Sequence, residues 1–231
     1  MLFRPAPRFE GLHAAAFEAF AIHERDQRRR AILAGFHPAL KLLGDDLVEI
    51  LGPLTPAPLH AHLPRLDWPA GYQPFCTWLA LSHEGHGYQA AAQLNVGVHP
   101  DHVAVRLAWD TGAAGFGRFE FLCRHGGLGA ALAEVAREQG LAFRVYASAP
   151  WPEGSRSVFE SATDWAGSFA EVRRRGVWWE LGVRHDLPEV QERLAGTWLV
   201  DEAARVFTSL LPSLDRSVGI APRRAPTAER P

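Results

Sequence analysis

The stretch FCTWLALSHEGHGYQAAAQLNVGVHPDHVAVRLAW, residues 75–109, decides the fold because it predicts three consecutive antiparallel strands. Turns rich in glycine, histidine and proline at 83–87 and 99–101 separate the three runs. Side chains alternate between the two faces of a strand. The middle strand therefore carries Gln93, Asn95 and Gly97 on one face, which places polar groups inside an otherwise apolar sheet.

The pairing of these strands predicts which side chains share a face. We expect Ser82 to pair near Tyr88 and Val98 near Val103. The predicted core face then carries Trp78, Tyr88, Leu94, Val96, Val98, Val103, Val105 and Leu107. The predicted polar face carries Thr77, Gln93, Asn95, His102 and Arg106.

This polar face, under the proline-rich segment 53–74, is the predicted place for a small ligand. Side-chain amides offer paired donors and acceptors, and a guanidinium binds an anion. His60 and His62 alternate within the segment and suit a ligand pair or a general base. The predicted ligand-binding residues are Gln93, Asn95, Arg106, Arg184 and His62. The alternative is that the amides satisfy neighbouring backbone under the same segment.

Helical and strand-like patterns flank the three strands. Helices are predicted over 10–20, 25–36, 38–51, 128–139, 165–175, 188–194 and 201–211, and further strands near 119–123, 143–147 and 177–183. Segment 53–74 is predicted to be a long ordered loop, and a turn-rich segment follows from Pro150. These elements indicate a single α+β domain over residues 1–218, with an antiparallel sheet on which helices pack, and a disordered tail over 219–231.

Composition excludes several classes of protein. The 231 residues are 47% hydrophobic, which suffices for one substantial core. The formal charge of −2 gives no overall attraction to nucleic acid. No apolar run reaches about 18 residues, and the N-terminus lacks the apolar region of a signal peptide. We therefore expect a cytoplasmic protein that does not bind membranes.

The common hydrolase, metalloprotease and thiol-redox motifs do not occur in the chain. It contains no Gly-x-Ser-x-Gly, His-Glu-x-x-His or Cys-x-x-Cys sequence. The pairs His83/His86 and His99/His102 belong to turns at opposite ends of the middle strand, so no metal or cofactor is predicted. Because catalytic groups can assemble from distant positions, the sequence leaves open whether the protein is an enzyme.

Two segments resemble the YktB-like family of bacterial proteins of unknown function. The first contains Phe20-x-Ile22, Arg28, Ile32, Phe36, Pro38, Leu40, Leu43-Gly44 and Leu47. The second contains Thr77-Trp78, Gly87-Tyr88 and Gln93-Leu94-Asn95-Val96-Gly97, and Leu211–Leu214 gives a weaker match. The chain departs from the family at Glu24-Arg25, where the family has Gly-Leu, and at 92–95, where it has Pro-His-Phe-Gln.

The resemblance implies an α+β domain with an antiparallel sheet, similar in topology to biotin–protein ligase catalytic domains. It implies no activity. The predicted function is small-ligand binding on the polar face. The alternative is an accessory module that binds nucleic acid or protein through the arginine clusters at 28–30 and 173–175, although nearby acids favour solvated helix faces with local ion pairs. Either function is compatible with a monomer or a homodimer.

Overall fold

The chain begins with helices that precede the sheet. The computed structural model describes residues 6–67, 73–113, 115–146, 157–159, 165–175 and 178–221. Helix α1 (Ala14–Phe17) leads through a 3-10 turn (Glu18–Ala21) to α2 (Arg25–Leu51). The Glu24 carboxylate accepts hydrogen bonds from two backbone N–H groups of the first turn of α2 and so caps it.

Helix α2 is one continuous helix of 27 residues, so the prediction of two helices at 25–36 and 38–51 is wrong. Pro38 removes one backbone donor inside it. The apolar stripe nevertheless continues past the proline, and its side chains have no exposed surface: Ile32, Phe36, Leu40, Leu43 and Leu47. Burial of this stripe on both sides of Pro38 outweighs the lost hydrogen bond.

Seven strands among the described residues form one antiparallel sheet. They are β1 (His60–His62), β2 (Thr77–Ser82), β3 (Gln93–Val98), β4 (His102–Asp110), β5 (Ala142–Tyr146), β6 (Ser157–Phe159) and β7 (Trp178–Asp186). Their order in the sheet is β1-β2-β3-β4-β7-β5-β6. The remaining helices are α3 (Phe116–His125), α4 (Leu128–Gln139), α5 (Trp165–Arg175), α6 (Leu187–Leu194) and α7 (Trp198–Val218). The predicted α+β class and the three strands of 75–109 are confirmed.

The described helices that contact the sheet centre pack on one of its faces. A Cβ atom at Gly44 of α2 would lie 2.9 Å from Leu79 of β2. On the same face, Phe169 of α5 stacks on Trp179 of β7, and Phe119 of α3 stacks on Trp109 of β4. The hydrophobic core therefore lies between this face and the helices.

Some side chains lie on the face opposite to the predicted one. Thr77 pairs with Val98 on the core face, whereas Trp78 pairs with Gly97 on the polar face. Tyr88 belongs to a 3-10 turn (Tyr88–Ala90) and to no strand. The reason is the length of the β2–β3 connection, which delays β3 until Gln93, so that Leu81 pairs with Leu94. A shift of one residue in register moves a side chain to the other face.

Three shorter predictions are wrong. The segment 119–123 belongs to α3, because Phe116, Phe119 and Cys123 are buried at helical spacing. Within the predicted loop 53–74, His60–His62 pairs with β2 as an edge strand, and residues 68–72 lie outside the described residues. The segment after Pro150 contains β6, which pairs with β5, and its other residues up to 164 are outside the described part.

Other sequence predictions differ in their bounds, are confirmed or stay predictions. The helix predicted over 10–20 is limited to α1 and the 3-10 turn, and the helix predicted over 201–211 is the longer α7. Helix α4 spans 128–139 as expected, between Gly127 and Gly140, which both have positive φ angles. No helix in the described ranges combines the length and the apolar character needed to cross a membrane. The single domain over 1–218 and the similarity to biotin–protein ligases stay predictions, as does the disordered tail, of which residues 222–231 are not described.

Candidate functional site

The polar face of the sheet carries one continuous row of cross-strand neighbours. His62 of β1 pairs with Ala80, Ala80 with Asn95, Asn95 with Arg106, and Arg106 with Gly182. Residues paired in this way point to the same face. Three of the five predicted site residues, His62, Asn95 and Arg106, therefore lie in one row, and Gln93 lies two residues before Asn95 on the same face.

Gln93, Asn95 and Arg106 form a chain of contacts that ends on an acid. The Asn95 Nδ2 group donates to Gln93 Oε1 at 3.1 Å, and Arg106 Nε donates to Asn95 Oδ1 at 3.2 Å. Arg106 Nη1 lies 3.0 Å from Glu180 Oε2, an ion pair whose side chains are 11% and 5% exposed. We call these four residues the amide–ion chain. The side chains of these four residues contact one another. The predicted alternative was different, because it paired the two amides with neighbouring backbone groups.

Two glycines make room for the Arg106 side chain and its strand. A Cβ atom at Gly97 would lie 2.9 Å from Arg106 Nη2, so the guanidinium lies over this glycine. A Cβ atom at Gly182 would lie 2.1 Å from the Val105 carbonyl oxygen and 2.6 Å from Arg106 Cα. Glycine is needed at both positions because of this close approach.

Arg184 lies on the same face but in a different cluster. It forms ion pairs with Asp101 at 2.9 Å and with Asp186. His102 is beside them, with its ring stacked on His99 at 4.1 Å between centroids. Arg106 thus contacts Glu180, and Arg184 contacts Asp101 and Asp186. A role for Gln93, Asn95, Arg106 or Arg184 in ligand binding stays a prediction.

His102 gives this end of the sheet a dependence on pH. Burial is the main cause that lowers the pKa of His102 to about 4, and Arg184 and Arg106 lower it further, while Asp101 partly offsets them. In the unfolded chain the group has its ordinary pKa of 6.5. At a pH between about 4 and 6.5, His102 therefore takes up a proton when the protein unfolds. The stability that the buried, neutral His102 contributes is complete above pH 6.5 and is lost as the pH falls toward 4.

Replacing His102 should make the protein less sensitive to acid. His102→Asn keeps a donor near Asp101 but does not titrate. We expect this variant to lose about 2 kcal/mol less stability than the wild type between pH 7 and pH 4. Urea unfolding at the two pH values measures the difference. Equal losses in the two proteins would contradict the assignment.

His62 lines a cleft at the β1–β2 edge of the polar face. The cleft has a volume of about 620 Å³. Its lining includes Trp78 of β2, Tyr88 and His86 of the β2–β3 connection, and Arg65. The His62 ring stacks on the Tyr88 ring with centroids 4.6 Å apart. His62 and Asn95 are two strands apart, which corresponds to roughly 10 Å, so the cleft and the amide–ion chain are neighbouring parts of one face.

The two histidine pairs lie at different places in the fold. No group of three or more metal-ligating side chains occurs within the part of the chain that the structure describes. His83 contacts the Pro58 carbonyl oxygen at 2.8 Å and Asp215 at 2.7 Å, whereas His86 lines the cleft. His83 and His86 thus have different environments, whereas His99 and His102 are buried together with stacked rings.

The predicted arginine clusters contact acids and backbone. Arg29 pairs with Asp67, Arg173 with Glu120 and Arg174 with Glu171. Arg28 donates to the carbonyl oxygen of Ile22. These contacts agree with the predicted helix faces with local ion pairs.

Sequence reasoning missed Glu180 and most of the cleft. In β7, Glu180 and Arg184 lie an even number of positions apart along the strand, with apolar residues between them. Because side chains alternate between the two faces of a strand, both lie on the same face. The alternation could have identified Glu180 as a neighbour of the polar row. No local sequence pattern could have placed Trp78 and Tyr88 in the cleft. Their positions depend on the length of the β2–β3 connection.

Comparison with known proteins concerns the N-terminal part of the chain. Residues 13–113 match a family whose description is "Domain of unknown function (DUF1054)". The predicted resemblance to the YktB-like family is confirmed. We call residues 13–113 the YktB-like segment. It runs from α1 through β4 and includes His62, Trp78, Tyr88 and three members of the amide–ion chain, while Glu180 lies outside it.

Curated relatives are bacterial proteins named UPF0637. A protein of Shouchella clausii is 27% identical over 99 residues, covering 43% of this chain and 47% of the relative. A protein of Listeria innocua is 26% identical over 101 residues, covering 44% and 50%. A protein of Exiguobacterium sibiricum is 28% identical over 94 residues, covering 41% and 46%. The chain spans about half the length of the curated relatives it matches.

Proposed function

We propose that the YktB-like segment binds a small organic molecule in the cleft between β1, β2 and the β2–β3 connection. The observation that carries the proposal is the cleft itself, whose volume of about 620 Å³ falls within the range of about 300–1,000 Å³ typical of small-molecule sites. The lining combines the aromatic rings of Trp78 and Tyr88 with polar side chains that include His62, Arg65 and His86. The cleft therefore offers both a surface for stacking and groups that can form hydrogen bonds.

The cleft walls are held in place by regular structure. Trp78 lies in β2, between two hydrogen-bonded strands, and His62 lies in β1. Tyr88 follows Gly87, whose positive φ angle of 68° begins the 3-10 turn. Rings that are fixed before a ligand arrives lose little conformational freedom on binding.

The amide–ion chain lies beside the cleft on the same face of the sheet. Asn95 is the β3 neighbour of Ala80, which is the β2 neighbour of His62. Because the Asn95 side chain is held by Gln93 and Arg106, the β3 and β4 strands are tied together beside the cleft. We assign direct ligand contact to His62 and a supporting role to Gln93, Asn95 and Arg106, while Arg184 lies in the separate cluster with Asp101.

Binding can be tested through the indole N–H signal of Trp78. Indole, uracil, adenine and nicotinamide are titrated at millimolar concentration into the 15N-labelled full chain, with Trp78→Phe used to assign the signal. We expect at least one compound to shift the Trp78 signal. Tyr88→Leu removes one aromatic wall and should weaken that binding about tenfold.

Phe121→Leu is the matched control for Tyr88→Leu. Phe121 is 61% exposed on α3, away from the cleft lining, so its replacement should leave the titration unchanged. Native mass spectrometry of the purified protein adds an independent search for a co-purifying molecule. The proposal is wrong if none of the four compounds shifts the Trp78 signal and no molecule co-purifies, or if Tyr88→Leu binds as well as the control.

A further inference from the structure

The proton of His62 can be placed from its contact with the backbone. Nε2 of His62 lies 2.8 Å from the Glu84 carbonyl oxygen. A carbonyl oxygen only accepts hydrogen bonds, so Nε2 carries the hydrogen. In the neutral ring Nδ1 is then the unprotonated nitrogen, with a lone pair available.

The surroundings of His62 favour the neutral ring. Burial is the main cause that lowers the pKa of His62, and the nearby His60 and His86 lower it further, while the contact with Glu84 opposes them. Among the residues that the structure describes, no hydrogen bond reaches Nδ1. This nitrogen is therefore an acceptor on a residue that lines the cleft.

The ring plane of His62 is fixed as well as its proton. It lies parallel to the Tyr88 ring, with an angle of 10° between the planes and 4.6 Å between centroids. The contact with Glu84 stops rotation of the ring about its own axis. The lone pair on Nδ1 therefore has a defined direction in the plane of the imidazole. Trp78 and Tyr88 line the same cleft as this ring.

We propose that the cleft selects a flat ring whose N–H or O–H group donates a hydrogen bond to Nδ1 of His62. Aromatic side chains provide the surface on which such a ring stacks, and the single directed acceptor distinguishes donors from rings that lack them. This inference rests on the proposed function, since it names the class of molecule for the same cleft.

Two isomeric probes test the donor requirement. The compounds 3-methylindole and 1-methylindole have the same atoms, but only the first keeps the ring N–H. We expect the wild type to bind 3-methylindole about tenfold more tightly, which corresponds to one hydrogen bond in a partly buried site. Titration of the Trp78 indole signal measures both affinities. Uracil and 1,3-dimethyluracil provide a second pair with a more polar ring.

His62→Phe is the matched variant for the lone pair. Phenylalanine keeps a flat ring that can stack on Tyr88 but has no nitrogen. We expect the affinity ratio of the two isomers to fall to about one, mainly through weaker binding of 3-methylindole. His13→Phe, on an exposed histidine before α1, should retain the wild-type ratio. Circular dichroism checks that both variants fold.

The outcomes separate this inference from the proposed function. If the wild type binds both methylindoles equally, the cleft is a binding site but the donor requirement is wrong. If neither the isomers nor the uracils shift the Trp78 signal, the donor requirement is wrong for these rings, and the titrations of adenine and nicotinamide and the search for a co-purifying molecule decide the proposed function. A tenfold preference that persists in His62→Phe would place the acceptor elsewhere. Because the wild-type ratio is informative alone, the inference stays testable even if His62→Phe does not fold.

Discussion

Arg106→Met should lower the free energy of unfolding by about 3–5 kcal/mol, the range found when one partner of a buried ion pair is removed. The substitution removes the guanidinium that lies 3.0 Å from the buried carboxylate of Glu180. It also removes the donor to Asn95 Oδ1. Urea unfolding followed by circular dichroism at pH 7 measures the loss.

A double variant and a surface control define the origin of this loss. Arg106→Met combined with Glu180→Met removes both charges, so it should recover much of the stability that the single variant loses. Arg174→Met removes an exposed arginine paired with Glu171 and should change stability by less than about 1 kcal/mol. An Arg106→Met loss no larger than that of Arg174→Met would show that the buried pair is not important for stability.

Gly182→Ala should destabilise the protein by about 3 kcal/mol or more, because the added methyl group cannot be accommodated without moving a strand. Its Cβ atom would lie 2.1 Å from the Val105 carbonyl oxygen. That atom is backbone and cannot rotate away. The collision falls in the middle of the β4–β7 pairing, which runs from His102 to Asp110 and joins the YktB-like segment to the rest of the sheet.

Gly52→Ala is the matched control for this substitution. A Cβ atom at Gly52 meets no heavy atom within 4 Å, and the backbone there is right-handed helical. We therefore expect its thermal midpoint to stay within a few degrees of the wild type. Differential scanning calorimetry compares the two variants. Similar midpoints for Gly182→Ala and Gly52→Ala would show that β4 and β7 can separate without cost.

Sequence patterns predicted elements well where a local rule decides them. Helix α4 was predicted at its observed bounds because an amphipathic run lies between two glycines. The three strands of 75–109 were predicted because alternation and turn residues agree there. The prediction of a strand at 119–123 failed because a short, mostly apolar run such as FEFLC suits a strand or a helix, while the helical spacing of its buried residues begins earlier, at Phe116.

The candidate site was predicted only in part. Gln93, Asn95, Arg106 and His62 share one face, as period-two alternation along neighbouring strands requires. Trp78 was placed on the wrong face because the length of the β2–β3 connection sets the register, and the 3-10 turn at Tyr88 has no distinctive sequence pattern.

The sequence by itself determined most of the helical segments, the three strands of 75–109, and the polar stripe on β3. Those properties depend on neighbours along the chain, whose spacing is visible in the sequence. Only the tertiary structure decided that Arg106 meets Glu180 and that His62, Trp78 and Tyr88 surround one cleft. Those contacts join residues far apart in the chain, and they arise from strand order and register, which the packing of the whole sheet fixes.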